Sequence, residues 1–379
     1  MKQRFGFVVL AVLVLALPGA GDTYRPVSVS FFPPLSTNGL DAMDVRSNFS
    51  LNIIGGWIGA VEGAELGSVF NIGQDVTGFQ GAGVFNITGR RFKGVQTAGV
   101  FSVVGESFDI LQLAGVFNVV GDELLGCQAA GVANVVGNSV RGCQVAGVAN
   151  VAGAYVNGAQ LAGVINVAGQ ALTGAQLSGV VNVAGEGFEG AQIGIVNIAE
   201  RARGLQLGIV NIAGEDDGFV PIGMVSIVEH GMFHLNAGLS EAPLAALEIK
   251  MGSRTVYNVF AAGVQPTSSS TRLMYGLGIG GRVFRRDRLH FDVDAVGYNV
   301  SQDDIFDFSG LNMLNKLRVT AGWRINELVS VTAGPTVSVF VSDYESGEDL
   351  ALYDAPLYQD DTGTMVRIWL GLSAGVQLF

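Results

Sequence analysis

Gly158-Ala-Gln160-Leu-Ala-Gly163-Val-Ile-Asn166-Val-Ala-Gly169 is one copy of a unit that fills much of the first half of the chain. Its signature glutamine returns as Gln80, Gln96, Gln112, Gln128, Gln144, Gln160, Gln176 and Gln192, a strict period of 16 residues. Six residues after most of these comes an asparagine: Asn86, Asn118, Asn134, Asn150, Asn166 and Asn182, with Ser102 in the one missing slot. The consensus is G-x-Q-x-A-G-V-x-N-V-x-G-x-x-h-x, where h is apolar. A fixed period of this size means that one small unit is stacked on copies of itself. Val, Ile and Leu suit a pleated surface. Glycines at such density exclude helix, since each would cost about 1 kcal/mol there.

Two all-β architectures accommodate the unit. In a β-solenoid each repeat is one coil, and Gln stacks on Gln and Asn on Asn in amide ladders along the axis. In the alternative the repeats are strands of one large antiparallel membrane β-barrel, formed together with the C-terminal strands, with Leu177 and Val181 toward lipid and Gln176 and Asn182 inside. The solenoid is preferred for two reasons. A meandering barrel alternates turn types and would repeat every two strands. From Asn118 to His230, moreover, the only aromatics are Tyr155, Phe188 and Phe219, too few for an interfacial girdle. Cys127 and Cys143 occupy one slot in adjacent repeats. In a solenoid their backbones lie about 4.8 Å apart, so proximity is expected, with or without a bond.

The ends and the composition give the setting. Lys2 and Arg4 precede an apolar run from Phe7 to Leu17, and Pro18-Gly19-Ala20-Gly21 supplies small residues for cleavage, so residues 1–21 read as a signal peptide. Residues 22–60 read as lead-in strands, 61–230 as the repeat array and 231–379 as a C-terminal β-barrel. Charged residues are only 14 % of the chain, against about 25 % in soluble domains. The net charge of −12 makes nucleic acid an improbable partner.

After His230 the pattern changes to eight long alternating strands, at about 232–240, 244–252, 255–264, 272–284, 288–300, 315–325, 329–342 and 365–379. In the last, Val366, Ile368, Leu370, Leu372, Ala374, Val376 and Leu378 share one face, and Arg367, Trp369, Gly371, Ser373, Gly375 and Gln377 the other. The polar faces are small and carry both signs of charge, including Glu248, Lys250, Arg282, Asp292, Asp294 and Arg318, as a narrow filled lumen requires. Long and short connections alternate, and the chain ends in Phe379. Together these predict an eight-stranded antiparallel barrel of the outer-membrane type, in the outer membrane of a diderm bacterium. Outer-membrane lipid is the expected partner, with other envelope proteins or polysaccharide as further candidates. If the long loops face outward, the repeat array lies on the periplasmic side.

The opening Val27-Ser-Val-Ser-Phe-Phe-Pro33-Pro-Leu-Ser-Thr-Asn38-Gly39, the Gln/Asn repeats, and Val220-Pro-Ile-Gly-Met-Val-Ser-Ile with Tyr257-Asn-Val-Phe-Ala-Ala-Gly resemble a largely uncharacterised family of bacterial surface-repeat proteins, over nearly the whole mature chain. The resemblance implies an envelope location and no enzymatic activity, and it supplies no catalytic residues. "Surface" in that family's description sits in tension with a periplasmic array.

No cofactor is expected and no catalytic set stands out. His230 and His234 are four apart but fall at a strand junction. Gly276-Leu-Gly-Ile-Gly280-Gly281 has no strand-turn-helix context for a dinucleotide and reads as the small face of a barrel strand. Asp343, Glu345, Glu348, Asp349, Asp360 and Asp361 crowd the loop before the last strand and are Ca²⁺ candidates, against the plainer reading of a solvated rim. A non-enzymatic structural or interaction protein is therefore expected, with an outer-membrane pore or transport protein as the alternative and an envelope hydrolase as a minor one.

Overall fold

The computed structural model describes residues 23–267, 271–301, 310–343, 350–352, 357–360 and 364–379, so residues 1–21, read from the sequence as a signal peptide, lie outside the described residues. The chain divides into two compact units, Met1–Gly190 and Ala191–Phe379.

In the first unit the 16-residue period is one coil of a parallel β-solenoid. A representative coil runs through strand Val156–Ala162, a corner at Gly163-Val164, strand Ile165–Ala168 and a corner at Gly169-Gln170. Each strand pairs in parallel with its counterpart one repeat away, so that Gln144 faces Gln160 and Asn150 faces Asn166. Corners bond to corners as well: Val164 N donates to Val148 O at 3.1 Å, and Gly169 N to Ala152 O at 2.9 Å. The large-barrel alternative is thereby overturned. Strands related by one repeat run parallel, whereas a meandering barrel requires antiparallel neighbours.

Stacking also begins earlier than the repeat does. Val27–Ser30 pairs in parallel with Phe49–Asn52, and Phe49–Asn52 with Ala64–Gly67. The lead-in segment thus contributes coils whose sequence lacks the consensus.

Glycine is required at the bend inside the long strand of each coil. Gly158 has φ +140°, and a Cβ there would lie 1.9 Å from the carbonyl oxygen of Gly142 one coil away. The same column holds Gly94, Gly126, Gly142 and Gly174 at φ of +130 to +138°. Only Ile110 breaks it, at φ +98°.

The second unit opens with further parallel strands, Val196–Leu207, Val210–Ile222 and Val225–Val228. Eight antiparallel strands follow: Met232–Ser240, Ala245–Gly252, Val256–Pro266, Thr271–Arg286, Leu289–Val300, Asn312–Arg324, Val329–Ser342 and Met365–Leu378. Each pairs with the next, and the first closes on the last from Leu235–Leu378 to Ser240–Ser373. The first strand has nine residues and the last 14, so the last overhangs. The short strand Tyr358–Asp360 covers part of that free edge by pairing with Val366–Ile368. Covering an edge removes a template for aggregation.

The barrel's outer face is apolar, and its interior holds a buried charge network beside a cluster of large side chains that includes Tyr257, Tyr298, Leu314, Phe340 and Trp369. Leu247 (69 % exposed), Leu370 and Leu372 point outward, while Glu248, Lys250, Asp292, Asp294 and Arg318 are buried within. The glycines of the fourth strand make room for the lumen's large rings: a Cβ on Gly280 would strike the Tyr257 ring, and one on Gly276 the Tyr298 ring.

Candidate functional site

Within the first unit, two polar columns run through the solenoid core. Every ladder Gln from Gln80 to Gln176 is completely buried, as are Asn71, Asn86, Asn118, Asn134, Asn150, Asn166 and Asn182. The glutamines are chained head to tail. Gln96 Nε2 donates to Gln80 Oε1 at 2.7 Å, Gln112 to Gln96 at 2.8 Å, Gln128 to Gln112 at 2.7 Å and Gln160 to Gln144 at 2.8 Å. Each amide thus donates toward the N-terminal end of the stack. The asparagines point the other way. Asn118 Nδ2 donates to Asn134 Oδ1 at 2.9 Å, Asn134 to Asn150 at 3.0 Å and Asn150 to Asn166 at 3.0 Å. The second Asn hydrogen goes to a backbone carbonyl, as from Asn134 to Val145 O at 2.8 Å. Buried amides are tolerated because each finds a partner one coil away.

Both ladders meet at Glu65, a residue without repeat signature in the sequence. Its carboxylate accepts from Gln80 Nε2 at 2.8 Å and from Asn52 Nδ2 at 3.0 Å. An acceptor-only group suits that place, because the Gln ladder presents its N–H end there. Complete burial outweighs the two amide hydrogen bonds and pushes the Glu65 carboxyl up to about 7. The Asn ladder has one gap. Ser102 Oγ and Asn118 Oδ1 are both buried with no protein partner.

The outside of the coils is sharply divided. Between Gly81 and Gly190 every charged residue falls in three of the 16 slots: Arg90, Glu106, Asp122 and Glu186 in one, Arg91 and Glu123 in the next, and Lys93, Asp109, Arg141 and Glu189 in the third. The slots from each ladder Gln to the glycine nine residues on carry no charge. They form a wall of outward aliphatic and aromatic columns. Val132, Val148, Val164 and Val180 are each 40–43 % exposed, and Phe70, Phe85, Phe101 and Phe117 stack face to face at 5.0–5.2 Å between centroids. At the usual interstrand spacing the seven valines from Val84 to Val180 span roughly 29 Å. Four columns wide, this strip passes the few hundred Å² beyond which an exposed apolar patch calls for a partner.

Cys127 and Cys143 meet as the shared slot requires, with Cα atoms 4.6 Å apart, and are joined in a disulfide. The bond ties two adjacent coils.

Inside the barrel the charges neutralise one another. Arg318 bridges Glu248 and Asp294, Lys250 Nζ lies 2.8 Å from Asp294, and Arg282 Nε 2.8 Å from Asp292. A second cluster was not visible in the sequence. Glu241, in the turn after the first strand, is drawn inside to Lys316 Nζ at 3.0 Å, and accepts from Thr336 and Ser338 at 2.9 Å each. Beside Glu248, Lys250 and Asp294 lies a void of about 30 Å³, room for about one water. Among the described residues, Tyr257, Tyr298, Leu314, Phe340 and Trp369 pack the lumen beside that network.

The other sequence candidates separate. His234 is buried in the lumen, edge-on to the Phe379 ring at 4.2 Å, with its Nδ1 2.8 Å from Gln377 Nε2. His230 is exposed, with its Nδ1 3.2 Å from Gly214 O. They share no site. Of the Ca²⁺ candidates, Asp343 accepts from Thr364 Oγ1 at 2.8 Å and Asp360 from the Tyr358 hydroxyl at 3.4 Å. Glu345, Glu348, Asp349 and Asp361 lie outside the described residues. Among the described residues no three His, Cys, Asp or Glu side chains are grouped to hold a metal, and no helix is long and apolar enough to cross a membrane, which says nothing of strands.

No family model, no curated protein and no solved structure matches the chain.

Proposed function

We propose that the protein is a non-enzymatic structural or interaction protein of the outer membrane, anchored by its barrel and presenting the solenoid wall to a partner. The observation that carries this reading is the polarity of the barrel: exposed leucines outside, and a compensated network of buried charges inside. Exposed leucines around the outer face suit hydrocarbon rather than water, and this supports the reading. The resemblance to surface-repeat proteins and the reading of residues 1–21 as an export segment belong to the same proposal. Short turns and both chain ends of the barrel then face the periplasm.

The wall narrows the choice of partner. Polysaccharide recognition needs directed hydrogen bonds, and the wall's outward columns offer aliphatic and aromatic surface. An envelope protein or lipid with an apolar face fits better. The pore reading is disfavoured by the packed lumen.

The test is reconstitution of the full mature chain into phosphatidylcholine vesicles. Flotation with the vesicles that survives alkaline carbonate, without added ion conductance, is the expected result. A chain that stays monodisperse in buffer without detergent and does not float overturns the anchor.

A further inference from the structure

The end of the barrel that carries the short turns differs chemically from the rest of this acidic chain. Arg254 sits in the turn between the second and third strands. Arg285 and Arg286 end the fourth strand, Arg288 precedes the fifth, and Arg324 ends the sixth. Arg254, Arg285, Arg286 and Arg288 are exposed. Asp287 and Glu327 are exposed on the same rim and Asp216 accepts from the Arg254 backbone N–H, so five arginines face three carboxylates there; among the described residues, no ion pair joins Arg285, Arg286 or Arg288 to a carboxylate. Arg285 also feels the like charges of Arg324, Arg282 and Arg254. The guanidinium of Arg324 is directed onto the Phe379 ring, at 5.0 Å. An excess of guanidiniums held together is a cost unless an anion joins them.

Just inside this rim lies a belt of exposed apolar side chains: Phe233 (59 %), Phe284 (44 %), Trp323 (53 %) and Leu328 (65 %). A register shift between Arg282 and Phe284 re-aims the strand end, so that Phe284 pairs opposite Phe291 and Arg286 opposite Leu289. Leu289 in turn faces Trp323. Since Phe291 and Leu289 lie on the outward face, Arg286 is placed on the outer side of the rim, level with Trp323. A cation directly above a ring of aromatics is the arrangement that takes a headgroup phosphate with acyl chains beneath it.

We infer that the short-turn rim binds the phosphates of anionic glycerophospholipids, with Arg286 and Arg288 as the principal contacts and Phe284 and Trp323 against the acyl chains. The inference rests on the barrel spanning a bilayer. Planar guanidiniums grip phosphate with paired hydrogen bonds. The excess positive charge selects an anionic lipid over a zwitterionic one, at about a fivefold preference per arginine near the surface.

The full mature chain is reconstituted with equimolar phosphatidylglycerol and phosphatidylcholine of matched acyl chains, and the retained lipid is counted by native mass spectrometry. Enrichment of phosphatidylglycerol by at least fivefold is expected, falling to near parity in the Arg286→Gln/Arg288→Gln double variant. The Arg286→Lys/Arg288→Lys variant should keep most of the enrichment. For the unaltered chain, raising salt to about 1 M, where screening acts within about 3 Å, should reduce it, and this arm needs no variant to fold. Equal retention of both lipids by an inserted protein overturns the inference and leaves the anchor standing. Failure to insert into any vesicle overturns the anchor and with it the inference. Competition by millimolar inorganic phosphate assigns the rim to free anions and overturns the lipid.

Discussion

Ser102→Asn should stabilise the solenoid, because it completes the one missing rung of the Asn ladder. Ser102 is in register with Asn86 on one side and Asn118 on the other. The backbone at this slot is the one that holds asparagine in neighbouring coils. At present Asn118 Oδ1 is buried without a protein donor, and so is Ser102 Oγ. An asparagine here would donate to Asn118 Oδ1 and accept from Asn86 Nδ2, which now donates to Thr97 O at 2.7 Å. Its other hydrogen would reach the carbonyl eleven residues on, as Asn118 reaches Ala129 O at 2.8 Å. Three net hydrogen bonds at about 1 kcal/mol each, less about 1 kcal/mol for immobilising the longer side chain, leave a gain of about 2 kcal/mol. Native-state hydrogen exchange reads this directly. Amides of strands Phe101–Val104 and Phe117–Val120 should exchange roughly 30-fold more slowly, at tenfold per 1.4 kcal/mol, while barrel amides stay unchanged. Unchanged or faster exchange in those two strands would refute the claim that the gap is an unsatisfied rung.

Three further outcomes are expected. Ile110→Gly should raise the solenoid's unfolding free energy by about 1 kcal/mol, since relief of a β-branched residue at positive φ is worth about 1–3 kcal/mol and the glycine's extra freedom when unfolded returns less than that; Gly142→Ala should lower it, and denaturant titration checks both. The stability of the solenoid should fall as pH rises from 4.5 to 7 and then level off, because Glu65 holds its proton to about pH 7 when folded and loses it near its ordinary value when unfolded; the loss is on the order of 3 kcal/mol, and Glu65→Gln should flatten the profile. Arg318→Met should destabilise the barrel by about 3–5 kcal/mol, because Glu248 and Asp294 are left buried with their shared cation gone, and the urea midpoint in vesicles would measure it.

The period of Gln and Asn made the solenoid legible because stacking acts on identical side chains at identical slots. The barrel was legible because strand alternation is read residue by residue, and Trp369 and Gln377 fall inside while Leu370 and Leu372 fall outside. What escaped shows where such reasoning fails. Residues 27–52 stack as coils largely through backbone hydrogen bonds, and Asn52, which continues the Asn ladder by donating to Asn71, lies 19 rather than 16 residues before it. Glu65 is 15 rather than 16 residues before Gln80, so the period hides the ladder's terminus. Glu241 sits in a turn, and only the path of the chain carries it to Lys316. The apolar wall was present in every repeat, but a valine column cannot be assigned to core or surface until the corners of the coil are known. The inward apolar slots turn out to be those of Val156 and Ala168, and Val164 is outside.

The two halves answer one physical problem in opposite ways. Each encloses polar side chains that hydrocarbon alone would reject. The barrel uses charges of both signs, which is workable because its strands are few and every partner is fixed. A stack of indefinite length is poorly served by charges, since like charges would recur at each coil and repel. Neutral amides avoid this, but amides aligned head to tail add their dipoles, and the sum grows with length. In the first unit that growth is cancelled, because the Gln ladder donates toward the N-terminal end and the Asn ladder away from it. Coils can then be added without raising the field at either end, and a single carboxylate, Glu65, suffices where the ladders meet. The same pairing enforces register. A slip of one residue between coils would break both ladders at once, so an apolar wall of largely interchangeable side chains still has one way to stack.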